Sequence, residues 1–90
     1  MNNIINFSLD GFEDYVYWQT EDKRTLKKIN SLINDIVRNG NEGIGHPEQL
    51  KDNLSGKWSR KIDDKNRLIY QIFDDGKIVI YQCCGHYGDK

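Results

Sequence analysis

Ninety residues with 37% hydrophobic content, one proline and a formal net charge of −1 describe a single small domain, residues 1–90, with a modest core. No apolar run approaches the ~20 residues that span a bilayer, and the opening MNNIINFSLD lacks the basic-then-apolar order of a secretory signal. Near-neutral charge by itself argues against a nucleic-acid binder, but the charge is segregated. Five acidic and no basic residues lie between Leu9 and Asp22, whereas six basic residues stand against three acidic ones between Lys51 and Arg67. A positive face on a neutral protein can hold an anionic polymer; ordinary mixed surface charge is the alternative.

Asn3–Phe7 is a short apolar run that reads as a strand. Ser8 is a good N-cap for a first helix, in which Phe12, Tyr15, Val16 and Gln19 recur at helical spacing and Gly11 is a slight weakness. Tyr15, Tyr17 and Trp18 could stack on bases, but aromatics at helical spacing favour a core role. From Lys23 to Arg38, Leu26, Ile29, Leu32, Ile33, Ile36 and Val37 form one apolar stripe, and Asn39-Gly40 is a helix stop. Asn41–Asn53 is the longest irregular stretch. Gly43, Gly45 and Pro47 exclude a regular element there, and Glu48–Lys51 is expected to form at most a helical turn.

Three strand-like runs follow, Lys57–Ile62, Arg67–Phe73 and Lys77–Cys84, separated by the turns Asp63–Asn66 and Asp74–Lys77. The expected product is an α+β domain, β-α-α-β-β-β, with both helices on one face of a twisted antiparallel sheet and the other face free. Adjacent Cys83 and Cys84 suit neither a disulfide framework nor a zinc site, and no metal-ligand cluster or phosphate-binding glycine loop is visible, so no cofactor is expected. A reducing cytoplasm is the simplest home.

Register gives the meander its chemistry. With Asp75-Gly76 as a two-residue loop, Phe73 faces Ile78 and Arg67 faces Cys84. Arg67 and His86 are then diagonal neighbours roughly 7–8 Å apart on one face. A guanidinium beside an imidazole can bind a phosphate and move a proton; the alternative is an exposed arginine beside a frayed terminal histidine. Parity decides a further residue. A two- or four-residue loop after Ile62 gives Arg60 the face of Arg67, whereas three or five residues give that face to Lys61.

The segments DYVYWQTEDKRTLKKIN, GIGHPEQLK, LSGKWSRKID, NRLIY and the terminal HY, in this order and at near-identical spacing, resemble the YoeB toxins, members of the RelE-like group. The resemblance covers nearly the whole chain. It implies a compact microbial-ribonuclease-like fold and ribosome-dependent cleavage of mRNA in the A site. It also implies neutralisation by a YefM/Phd-like antitoxin whose C-terminal segment covers the active site, a homodimer, and operator binding only by the toxin–antitoxin complex.

Metal-free RNA cleavage needs a base for the 2′-OH, an acid for the departing 5′-oxygen and a cation for the crowded phosphorane. The resemblance gives these roles to Glu48, His86 and Arg67. Partial burial would strengthen Glu48 as a base, and the ordinary histidine pKa near 6.5 suits an acid. Lys51 and Lys61 fall where relatives carry basic substrate contacts, which favours Lys61 over Arg60 for the RNA face. Tyr87 could stack on a base or hold the leaving phosphate region. Three features depart from the pattern: Lys61 where arginine is usual, no basic residue near Cys84, and the added Gly88-Asp89-Lys90, expected to be a flexible tail. His46 replaces a common lysine and reads as a loop residue. A non-enzymatic toxin on the same scaffold, ParE-like, or an inactive partner-binding relative is the competing reading.

Overall fold

The computed structural model describes residues 4–86. Strand β1 (Ile4–Phe7) leads into α1 (Leu9–Glu21) and α2 (Lys23–Asn39); β2 (Glu48–Gln49) follows, then β3 (Trp58–Lys61), β4 (Arg67–Ile72) and β5 (Lys77–Gln82). Both helix starts are written locally. The Ser8 hydroxyl accepts from the Gly11 N–H at 3.1 Å, and the Asp22 carboxylate accepts from the Arg24 N–H and the Thr25 hydroxyl at 3.0 and 2.8 Å. Asp22 therefore closes α1 and opens α2 as a one-residue joint. The second helix ends on Gly40, whose φ of +66° is reached cheaply only without a Cβ.

The five strands lie in the order β1-β5-β4-β3-β2. Two features differ from the antiparallel meander expected. First, β1 pairs with β5 in parallel, Ile4 to Lys77 through Phe7 to Ile80, so the sheet is mixed. Second, the loop before β3 contributes a strand: Glu48 pairs with Ser59 and Gln49 with Trp58. A strand wins over a helical turn because β3 would otherwise be an open edge with unpaired backbone groups. Pro47 lies just ahead of the pairing, where its missing N–H does no harm. The one helical turn of this region is a 3-10 turn further on, at Asp52–Leu54.

Ile29, Leu32, Ile33 and Ile36 of α2 pack with Leu68, Tyr70, Ile78 and Ile80 in the core between helices and sheet. The first helix buries a different stripe from the one expected. Gly11, Asp14 and Trp18 face inward, while Phe12, Val16 and Tyr17 remain 52%, 42% and 48% exposed. Trp18 Nε1 donates to the Cys83 carbonyl at 2.8 Å and the Asp14 carboxylate accepts from the Cys83 N–H at 2.9 Å, which pulls this stripe onto the end of β5. A Cβ on Gly11 would lie 2.3 Å from the Ile80 carbonyl oxygen, so glycine is what lets α1 touch the strand. Gly11→Ala should therefore lower stability by about 1–3 kcal/mol through overpacking, although alanine is the better helix former. Thermal unfolding would record it, and a rise in melting temperature would contradict so close an approach. No helix among the described residues is long and apolar enough to cross a membrane.

Candidate active site

Cross-strand pairing carries one row of residues across the face away from the helices: Glu48 opposes Ser59, Ser59 opposes Ile69, and Ile69 opposes Gln82. Ile69 is buried yet lies outside the main core cluster, as expected for the far side of the sheet. Two residues along, Lys61 opposes Arg67 on that same face. With strands ~4.8 Å apart and ~3.4 Å per residue, Glu48 and Arg67 are about 12 Å apart at the backbone. Their side chains can reach toward one phosphodiester from opposite sides.

Parity at the β3–β4 turn separates Arg60 from Lys61. The Ile62 N–H donates to the Asn66 carbonyl at 3.1 Å, closing a three-residue loop, and Arg60 consequently opposes Leu68 on the helix side. Arg60 is a core residue, not a substrate contact. Its side chain is fully buried. Its guanidinium donates to the Asp35 carboxylate at 2.5 Å, to the carbonyls of Ile44, Gly40 and Glu42 at 3.0, 2.6 and 2.9 Å, and to the Tyr70 hydroxyl at 3.2 Å. All five of its N–H groups are thereby used. The hydrogen bond from Arg60 holds the Asp35 carboxyl below its ordinary 3.8, and burial raises the Tyr70 phenol.

Register at the β4–β5 hairpin differs from expectation at the turn and returns to it only at Ile69 and Gln82. The Phe73 N–H donates to the Lys77 carbonyl at 2.8 Å, so the loop is three residues, with Gly76 at a φ of +89°. Ile72 accordingly pairs with Ile78 rather than Phe73 with Ile78. A bulge between Ile69 and Tyr70, in which Tyr81 is the extra residue of β5, shifts the pairing by one, and Ile69 meets Gln82. The two shifts cancel at Ile69 and Gln82, but beyond that pair the ladder stops, and Arg67 does not oppose Cys84 in it. The Arg67 N–H reaches the Gly85 carbonyl at 2.9 Å, which brings the residue before His86 alongside Arg67.

The Asp63–Asn66 turn gathers the cationic groups. The Arg67 guanidinium donates to the carbonyls of Asp63 and Asn66 at 2.5 and 3.1 Å. Lys61 Nζ is 3.0 Å from an Asp64 carboxylate oxygen, an exposed pair of small energetic weight. His86 Nε2 is 3.2 Å from the Asp64 carbonyl oxygen. A carbonyl only accepts, so Nε2 carries the hydrogen in this contact. Within the turn, burial works against the Asp63 carboxylate, but the Asn66 amide, the Lys65 and Asn66 N–H groups and the Arg67 charge outweigh it and lower its pKa.

Glu48 sits exposed on the edge strand, not partly buried. Lys51 is also exposed, past the end of β2 pairing and toward the Lys57 end of the sheet, away from Lys61 and Arg67. His46 is an exposed loop residue with a φ of +52°. Tyr87 and the Gly88-Asp89-Lys90 tail lie outside the described residues. The structure thus groups Lys61, Arg67 and His86 around one turn, with Glu48 across the same face and Lys51 at its far flank. Asn66 and Gln82 belong to this neighbourhood and were not anticipated. The Asp-x-x-Asn spacing of an Asx turn was the available signal for Asn66.

Two helices on one face of a mixed five-stranded sheet, with polar and charged side chains on the other, is the architecture of the RelE-like toxins. The chain belongs to the YoeB-like toxins of bacterial type II toxin–antitoxin systems, whose family model matches residues 7–87. It is 51% identical to a YoeB toxin of Streptomyces coelicolor over 83 residues, 92% of this chain and 98% of that one. Among solved structures it resembles the toxin of a YoeB–YefM complex from Staphylococcus aureus, with a TM-score of 0.87, 48% identity and coverage of 97% of this chain and 100% of that one. A YoeB dimer from the same organism superposes with a TM-score of 0.87 at 50% identity, again covering 97% and 100%.

Proposed function

We propose that this toxin is an endoribonuclease that cuts mRNA in the ribosomal A site and so stops translation. The reading rests on one arrangement: a carboxylate (Glu48), a guanidinium (Arg67) and an ammonium (Lys61) share the sheet face that the helices leave open, and an imidazole (His86) lies against the turn that holds Arg67. Glu48 takes the proton of a 2′-OH, and the freed oxygen attacks the adjacent phosphorus. The bond to the 5′-oxygen breaks as His86 delivers a proton to it. Arg67 exchanges its turn carbonyls for two phosphate oxygens, where a planar fork is worth most as charge builds in the phosphorane. Lys61 adds positive charge beside it, and Lys51 meets the RNA backbone at the flank. The products are a 2′,3′-cyclic phosphate and a 5′-hydroxyl, and DNA resists for want of the nucleophile. Water then takes the proton from Glu48 and returns one to His86, both of which are exposed.

Solved relatives form a YoeB–YefM complex and a YoeB dimer, which supports an antitoxin and a second copy of the chain as partners. A YefM/Phd-like antitoxin covers the open face in the inhibited state, the toxin pairs as a homodimer, and the toxin–antitoxin complex alone meets operator DNA. The setting is the cytoplasm. Primer extension on a defined mRNA in a reconstituted translation system tests the activity, with wild type beside His86→Ala. A cut inside the A-site codon, at least 100-fold slower in the variant, is the expected result. An intact message with translation still blocked would replace this reading with a non-enzymatic, ParE-like inhibitor.

A further inference from the structure

His86 stands beyond the last ladder pair of β5, on a segment that β4 holds only through the Arg67 N–H bond to the Gly85 carbonyl. Gly85 turns the chain there with a φ of +78°, and His86 itself is exposed. Such a segment should fray, yet three of its backbone groups are tied by two side chains that touch no reacting atom. Asn66 Oδ1 accepts from the Gly85 N–H at 2.7 Å. Gln82 Nε2 donates to the carbonyls of Cys84 and His86 at 3.0 and 2.7 Å. Both ties are themselves fixed. Asn66 Nδ2 donates to the two Asp63 carboxylate oxygens at 3.1 Å each. One side of that amide therefore meets only acceptors and the other only a donor, which settles its orientation. Gln82 is 8% exposed, so little water competes for its amide.

We propose that Asn66 and Gln82 are positioning residues that set where the His86 imidazole stands relative to the phosphate held by Arg67. The Asp63–Asn66 turn acts as a common ruler. Its carbonyls receive the Arg67 guanidinium and His86 Nε2, while its asparagine holds the backbone one residue before the histidine. A proton donor works only within hydrogen-bond reach of the leaving oxygen, and a displacement of about 1 Å can cost 100-fold in rate. Asn66→Ala and Gln82→Leu are therefore expected to slow cleavage by about 10–100-fold without removing any group that touches RNA.

This inference rests on His86 being the general acid, and its test keeps the two apart. The probe is an mRNA whose scissile linkage carries sulfur in place of the 5′-oxygen, a leaving group that departs without a proton. On the ordinary message Asn66→Ala, Gln82→Leu and His86→Ala should all be slow, and on the sulfur message all three should approach the wild-type rate. Arg67→Ala should stay slow on both. If His86→Ala is rescued while Asn66→Ala and Gln82→Leu remain slow, or if those two are never slow, the positioning role is overturned and the acid stands. If His86→Ala is not rescued, the acid assignment fails and the inference with it. Should Asn66→Ala not fold, by its thermal melt, Gln82→Leu carries the same comparison.

Discussion

Arg67→Ala should reduce message cleavage by about 100–1,000-fold while leaving the melting temperature almost unchanged. The magnitude is that of removing one preorganised donor from a developing oxyanion. The small structural effect follows from what the guanidinium touches, two carbonyls of the Asp63–Asn66 turn at the protein surface, which water can satisfy after truncation. The turn has its own support. Asp63 Oδ1 accepts from the Lys65 and Asn66 N–H groups at 2.8 Å each. Arg67→Lys is the instructive companion, because it keeps the charge and loses the fork; an intermediate rate would separate the two contributions. Rates measured beside thermal melts check both halves, and full cleavage by Arg67→Ala would remove this residue from the mechanism.

One residue earlier in the pairing, on the opposite face, the same chemistry gives the opposite outcome. Arg60→Met should destabilise the protein by about 3 kcal/mol or more. The buried Tyr70 hydroxyl loses its donor together with the part-buried carbonyls of Gly40, Glu42 and Ile44, and hydrogen bonds to a charged group contribute roughly 1.5–3 kcal/mol each. The carbonyl contacts tie the loop after α2 to β3, so the loss should also loosen the approach to β2 and Glu48. Acid sharpens the comparison. Asp35 is depressed below 3.8 by its hydrogen bond from Arg60. Its contribution to folding is therefore complete above that pH and disappears as pH falls through its lower folded value. Without Arg60 most of that contribution is missing from the start. The gap between wild-type and variant melting temperatures should narrow as pH drops below 3.8. A gap independent of pH would show that the carboxylate is not the partner that matters.

Arg60 and Lys61 also show how much of this molecule was legible in its sequence. They are neighbours of equal charge, and only the length of the turn after Ile62 assigns one to the core and the other to the open face. Residue types alone allow either. The register expected to bring Arg67 beside His86 is one residue off at Phe73, is restored by the bulge at Tyr81 as far as Ile69 and Gln82, and then gives way to a single Arg67 N–H bond to the Gly85 carbonyl, a sequence of shifts that alternation cannot foresee. The long second helix was plain because an apolar stripe and a glycine stop agree. Helix α1 was clear as a helix but not in its orientation, since its inward face is chosen by Asp14 and Trp18 bonding to Cys83, sixty-nine and sixty-five residues away. Glu48 could be picked out by resemblance, yet not as a strand residue, because β2 exists only where β3 offers an unpaired edge.

The parallel contact between β1 and β5 joins nearly the first described residue to nearly the last. Ser8 and Gly11 settle on Ile80, and Trp18 and Asp14 on Cys83. On a translating ribosome, then, α1 has no seat and β1 no neighbour until the final strand has emerged from the exit tunnel. Such long-range closure is slow compared with local helix formation. An interrupted nascent chain has neither a closed sheet nor the proposed acid at His86.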